Sequence, residues 1–301
     1  MRVALNTLGK KAIRAKSSAY IPEKESKMTT IHTNPGALVA QATLRNVTSQ
    51  LDTVSKQVQT GFKVADAKDD ASTFSVAQGL RADVKSLGAV QQGLNGAVGL
   101  AEVGLAGATA VSNLFEDIQA KLTQLADSSI TATQRTTYNA DLQALANQAK
   151  DLVSQASFNG TNVLDNTTAV NFIADVNGGT ISVTGVNVFT SASVFAASVG
   201  ALTDAQARQF LNSSSNTLDN FVTATNNALS GIAADLRAVE SQNSFVSAIS
   251  DATEKGLGAL VDADLAKASS KLQALQAQQQ LSTQAITIAN QAPSVLLSLF
   301  G

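Results

Sequence analysis

The chain has no cysteine and no tryptophan, one histidine and three prolines in 301 residues. Each scarcity closes off a class of chemistry. Without thiols there is no disulfide framework, no thiolate metal site and no cysteine nucleophile, and redox chemistry says nothing about compartment. The lone histidine, His32, has no Asp or Glu at ligand spacing and reads as a polar surface residue. Pro22, Pro35 and Pro293 leave Gly36 to Ala292 free of the strongest helix breaker. Aromatic residues are 4% and charged residues 15%, against 44% hydrophobic. That balance favours long helices packed through small side chains over a compact core built on aromatics.

Charge is also unevenly placed. Residues 1–27 hold seven basic and two acidic side chains, whereas from Met28 onward fourteen basic face twenty-one acidic. The body is therefore a poor nucleic-acid binder, because neutralising phosphates needs clustered Lys and Arg. Its apolar stretches are broken by Gln, Asn and Pro before about 20 residues, so membrane insertion is not expected. The basic leader lacks the apolar run of about 7–15 residues that ordinary secretion requires. Met28 to Leu44 carries no charge beyond His32, and Leu272 to Gly301 carries none at all. Two such ends are expected to be buried together.

What is present is periodicity. Ala37, Ala40, Leu44, Val47, Leu51, Val54 and Val58 alternate spacings of three and four, which predicts a coiled-coil helix. A second seam runs from Leu80 through Leu87, Leu94, Ala101 and Ala108, slips phase, and continues from Val111 to Leu125. It predicts a helix over 74–126, roughly 80 Å long. The glycines between Gly88 and Gly107 each cost about 1 kcal/mol relative to alanine, and are expected where neighbours approach closely. A third helix is predicted from Tyr138 to Ala156.

From Phe158 the composition turns to Asn, Gly, Thr and Val. Alternation at Val170, Phe172, Ala174 and Val176, then Ile181 and Val183 after an Asn-Gly-Gly-Thr turn, predicts a β-hairpin. Helical spacing returns from Leu218 to Val239 and at Leu265, Ala268, Leu272 and Leu275. That seam becomes polar at Gln279 and Ser282 and is expected to shift register onto Ala285, Ile288, Ala292, Leu296 and Leu299. The predicted fold is mainly α: a long antiparallel helical coiled-coil rod formed by the N- and C-terminal regions, with a small β-containing insertion domain. One narrow seam cannot offset the backbone entropy of ordering both ends, so the termini are expected to order on assembly.

No catalytic constellation emerges. The paired acids Asp69 and Asp70, and Asp262 and Asp264, lack a histidine base or an aromatic platform. They are expected to cap helices or pair with Lys63, Lys68 or Lys267. No Gly-rich loop ends in Lys-Ser or Lys-Thr. No cofactor, metal or enzymatic activity is expected.

Several blocks, in one order, resemble bacterial flagellin, and its alphaproteobacterial type in particular. "MTTIHTNPGALVAQATLRN" at 28–46 resembles the flagellin amino terminus. "TGFKVADAKDDASTFSVAQGLRADV" at 60–84 is similar to a family segment carried here by Gly61, Lys63, Asp69, Asp70 and Ala71. Phe158, Asn159 and Gly160 open a block similar to the family's Phe-Asn-Gly turn. Residues 261–300, including Asp262, Asp264, Asn290 and Phe300, resemble the flagellin carboxyl terminus almost throughout.

The resemblance implies an inner terminal-helix layer from 28–71 and 262–301, a rod from 72–170 and 211–261, and an outer β insertion at 171–210. The seam residues Leu44, Val47, Leu51, Val54, Val58, Leu265, Leu272, Leu275, Ile288, Leu296, Leu299 and Phe300 would then serve polymerisation. Residues 1–27 have no counterpart; an upstream start, with Met28 as the expected first residue, or an added leader accounts for them. The implied function is a subunit that polymerises, with itself and other flagellins, into the flagellar filament used for swimming. It would be exported by the flagellar type III apparatus and meet an export chaperone and the filament cap and junction proteins. A hook-filament junction protein and a cytoplasmic coiled-coil signalling hairpin are the readings that stand beside it.

Overall fold

The computed structural model describes residues 33–212 and 216–300, with 292–300 described in backbone only. Met28, His32 and the leader lie outside the described residues, as do the side chains of Ala292, Leu296, Leu299 and Phe300. The chain divides into two compact units, residues 1–59 with 265–301, and residues 60–264. Helix α1 (Pro35–Thr60) and helix α7 (Leu265–Phe300) belong to the first, and all other elements to the second.

Helix α2 (Ala71–Leu125) is the spine of the larger unit. It starts where it does because Asp70 is its N-cap, accepting the Ser72 and Thr73 N–H groups at 3.0 and 3.1 Å. It ends where guanidinium groups take over its last carbonyls. Arg135 donates to the Leu125 and Asp127 carbonyls at 2.7 and 3.1 Å, and Arg208 to that of Ala126 at 3.0 Å. A capping box, Thr131 with Gln134, then opens α3 (Ala132–Gln155).

Helix α6 (Thr217–Val261) runs antiparallel to α2, as shown by contacts between Phe115 and Phe221 near one end and the Val64, Ala77, Val261 cluster near the other. The predicted α2 seam is buried at Leu87, Leu94, Ala101, Ala108, Val111, Ile118, Leu122 and Leu125. Val90, Ala97, Leu100 and Gly104 are buried as well. The stripe is wider than a coiled-coil seam because α2 has neighbours on more than one side, which also accounts for the apparent phase slip. Gly104 and Gly107 mark the tightest places. A Cβ at Gly104 would lie 2.5 Å from Val163 Cγ2, and one at Gly107 would lie 2.6 Å from Ala156 Cβ. The close approach is thus largely to the 156–164 segment. Nothing lies within 4 Å of a Cβ built at Gly88 or Gly93, so those two have no packing reason.

One expectation is corrected. By length and composition α2 is apolar enough to cross a membrane. Gly96 to Val111 runs sixteen residues without Gln, Asn or Pro, with Glu102 as its one charge. Leu94, Leu100, Ala108 and Val111 nevertheless pack into the protein's own core.

The hairpin forms, but its first strand is shorter than the alternation predicts: Val176 is exposed in the turn, and Thr180 opens the second strand. Strand β1 (Val170–Ile173) pairs antiparallel with β2 (Thr180–Val183), Val170 opposite Val183 and Phe172 opposite Ile181. The Asp175 carboxylate holds the turn, accepting the Asn177 and Gly179 N–H groups at 2.7 and 2.9 Å. Beyond β2 the chain departs from the predicted β insertion: helix α4 (Val188–Ser198) and helix α5 (Asp204–Asn212) occupy most of 188–212. They are part of the main core, with Val188, Ala192, Phe195 and Ala207 fully buried. The few aromatics gather there. Phe195 stacks on Phe221 at 5.9 Å and meets Phe210 edge-on at 6.1 Å. Buried Asn139 ties in the loop between these helices, donating to the Leu202 carbonyl at 3.2 Å and accepting its N–H at 3.0 Å.

Candidate assembly surface

The smaller unit begins with an N-cap. The Asn34 side-chain oxygen accepts the Ala37 N–H at 3.1 Å, and Pro35 occupies the first helical position, where a missing N–H costs nothing. Along α1 the residues turned inward are those the heptads predict. Val47 and Val54 are buried with Ala268 and Leu275 of α7, and Leu51, Val58 and Leu272 close over them. Leu44 is half-buried.

Beyond Leu275 the α7 seam keeps its phase. Gln279, Ser282, Ile286 and Ala289 are half-buried, continuing the spacing of three and four, while Ala285 and Ile288 are exposed. The predicted shift onto Ile288 is therefore corrected: the helix keeps its face and accepts two polar seam positions. Leu265 also lies outside the seam, at 49% exposure.

The consequence is a second set of apolar residues that no described part of the chain covers. Leu38 and Val39 are 54% and 68% exposed on α1, and Leu281 and Ile288 are 63% and 67% exposed on α7. Leu281 and Ile288 are one heptad apart and share a face. Asn34, Leu38, Leu44, Ile286 and Asn290 also line an open groove of about 420 Å³. Thus the uncharged ends carry one apolar stripe that the chain satisfies and further apolar side chains that it does not.

The motif residues of the larger unit serve geometry. Gly61 takes a φ of 75°, a left-handed turn that glycine accommodates without strain. The Lys63 N–H then donates to the Val261 carbonyl at 2.7 Å, the Ala263 N–H donates to the Gly61 carbonyl at 2.9 Å, and Phe62 bridges to Asp262. Val64, Ala77 and Val261 pack beneath with Phe74 and Leu257. These contacts hold 60–71 and 262–264, which the resemblance groups with the terminal layer, within the larger compact unit.

Asp69 accepts the Ala65 and Asp66 N–H groups at 3.0 and 3.2 Å, holding the loop that delivers Asp70 to its cap. The Thr73 hydroxyl, at 2.6 Å, and the capped N–H groups hold the Asp70 carboxyl below the usual carboxylate range. Ala71 is the first residue of α2. Asp262 is the C-cap of α6, its N–H donating to the Gly258 carbonyl at 2.8 Å, and Asp264 immediately precedes α7. Phe158, Asn159 and Gly160 form a tight turn in which Asn159 and Gly160 have φ of 49° and 79°. The structure thus brings Gly61, Lys63 and Asp262 together and sets Asp69 beside Asp70, while the Phe158 turn is a separate feature. Sequence reasoning passed over Leu38 and Val39 and the cap at Asn34. The Asn-Pro pair ahead of an apolar run was the available signal for the cap.

The bacterial flagellin N-terminal helical region matches residues 31–169, and the bacterial flagellin C-terminal helical region matches residues 215–300. Flagellin FljK of Caulobacter vibrioides is 33% identical over 281 residues, covering 91% of this chain and 99% of its own length. Flagellin FljM of the same organism is 31% identical over 274 residues, and a flagellin of Brucella melitensis is 30% identical over 282, each with the same coverage. These matches favour neither a junction protein nor a signalling hairpin. With both terminal regions of the family present in order and folded as a helix pair, the chain belongs to the bacterial flagellin family and is a subunit of the extracellular flagellar filament.

Proposed function

We propose that the smaller unit is the polymerising element, and that copies of this chain, with other flagellins, bury its uncovered apolar residues against one another. The observation that carries this is the exposure of Leu38, Val39, Leu281 and Ile288 on helices whose other stripe is already paired within the chain. Repetition of one head-to-tail contact that does not close on itself makes a helical filament. The subunit's work is mechanical and not enzymatic, with no cofactor, nucleic acid or membrane insertion. The larger unit supplies the rod, and 171–210 its outer part. The chain travels unfolded through the flagellar type III apparatus, and its ends gain their outer cover on assembly. An export chaperone holds the carboxyl-terminal helix, and the cap and junction proteins meet the same terminal surface.

Seeded elongation tests this. The full chain is added to filament fragments beside a copy ending at Lys271, and both are followed by electron microscopy and far-UV circular dichroism. The full chain should extend the seeds, and the truncated chain should stay monomeric with residues 60–264 still helical. Elongation by the truncated chain would refute the proposal.

A further inference from the structure

Helix α7 has a proline inside it. Pro293 lies well within Leu265–Phe300. A proline has no backbone N–H, and its ring crowds the carbonyl four residues earlier. That carbonyl is Ala289's, and within α7 it lacks its ordinary i+4 donor. Across the helix pair, the Nδ2 of Asn34 donates to the Ala289 carbonyl at 2.7 Å. The Oδ1 of the same side chain accepts the Ala37 N–H as the N-cap of α1. One carboxamide therefore closes two helix defects, one at the start of α1 and one inside α7. The residues it links are 255 positions apart.

Two further features fit. The first turn of α1 is close enough that a Cβ built at Gly36 would lie 4.0 Å from Ala289 Cβ. Seam positions Gln279 and Ser282, about three and two turns before Ala289, are polar, so the apolar stripe specifies register weakly on the approach to the Asn34 contact. A slip of α7 by one turn, about 5.4 Å, would take the carbonyl away from the amide and leave both unmatched.

We infer that Asn34 and Pro293 act together as a register pin for the terminal helix pair, the proline removing a bond from α7 that α1 can replace in one alignment only. The pin fixes which exposed residues of α1 and α7 lie side by side. It therefore sets the geometry of the surface presented to neighbouring subunits, and rests in that respect on the polymerisation proposed above.

A double-mutant cycle on the full chain tests it, with the critical concentration for seeded elongation as readout. Asn34→Ser keeps a capping oxygen but removes the amide donor. Pro293→Ala restores a backbone N–H for the Ala289 carbonyl. Asn34→Ser alone should raise the critical concentration about fivefold. In the Pro293→Ala background the same change should raise it less than about twofold, because the carbonyl now has its own partner. If Asn34→Ser alone fails to elongate, elongation by the double variant supports the pin and its absence overturns it. Equal penalties in both backgrounds, no effect of Asn34→Ser, or failure of Pro293→Ala to elongate would each overturn the pin. The truncation at Lys271 tests the polymerisation proposal separately.

Discussion

Replacing Gly107 by alanine sets two opposing contributions against each other within one helix. Alanine is favoured over glycine in a helix interior by about 1 kcal/mol, so the change should stabilise α2 wherever the methyl has room. At Gly88 nothing lies within 4 Å of the new Cβ, and Gly88→Ala should gain roughly that 1 kcal/mol. At Gly107 the methyl would meet Ala156 Cβ at 2.6 Å and Leu164 Cδ1 at 3.0 Å. Ala156 Cβ is fixed to the backbone and cannot rotate away, so the segment after α3 has to move. Overpacking of this kind costs about 1–3 kcal/mol. The propensity gain is common to both variants and cancels when they are compared. Gly107→Ala should therefore be less stable than Gly88→Ala by about 1–3 kcal/mol, or several degrees in thermal midpoint at roughly 2–4 °C per kcal/mol. Thermal and urea unfolding of the monomer, followed by far-UV circular dichroism, measure the difference. Equal stabilisation by the two changes would show that the close approach to the 156–164 segment does not explain that glycine.

The other predictions concern caps. Arg135→Ala removes both bonds to the carbonyls ending α2 and should destabilise the larger unit by about 1–3 kcal/mol in urea unfolding, with Arg135→Lys recovering little because it lacks the two-pronged geometry. The Asp70 carboxyl is depressed chiefly by the Thr73 hydroxyl, so its stabilisation is complete above the ordinary carboxylate pKa of 3.8 and is lost as pH falls through the lower folded value. The stability difference between the natural chain and Asp70→Asn should thus be flat from neutrality down to that range and change only below it; a difference that changes steadily near neutral pH would contradict the cap. Asp127 is depressed by Ser129 in both proteins and cancels in the comparison.

How far the fold was legible depended on how many neighbours each helix has. The α1 seam from Ala37 to Val58 followed the heptads because α1 packs on a single partner within its unit, which selects one stripe. Helix α2 packs on several sides, so Val90, Ala97 and Leu100 are buried as deeply as the seam and no single period describes them. Helices α4 and α5 were hidden because the Asn, Gly and Thr of the hairpin coloured the reading of the adjacent Ser- and Ala-rich segment. Their place in the core rests on Val188, Ala192 and Phe195, whose value depends on Phe221 in another helix. The motif residues were legible as residue types, but Gly61 and Asp70 acquire their roles through a φ angle and a pair of N–H groups. In the sequence the Asn34 link was visible only as a proline in an otherwise uncharged helical tail.

The polar residues of the two ends follow a physical logic of their own. In the proposed assembly a Lys or Asp there would be desolvated as neighbouring subunits close over it, and without a partner that would cost several kcal/mol. Ser and Thr avoid the difficulty because each can satisfy its hydroxyl inside its own helix. Thr43 donates to the Val39 carbonyl at 3.0 Å, Thr283 to that of Gln279 at 2.6 Å and Thr287 to that of Thr283 at 3.1 Å. Such hydroxyls already have a partner before another subunit arrives. These threonines can therefore remain hydrated in a single chain and, in the proposed assembly, be buried without demanding a matched donor or acceptor across the interface. The fewer the polar groups that need a partner across the interface, the more specificity falls to shape and register, the conditions under which the proposed Asn34 pin would affect assembly.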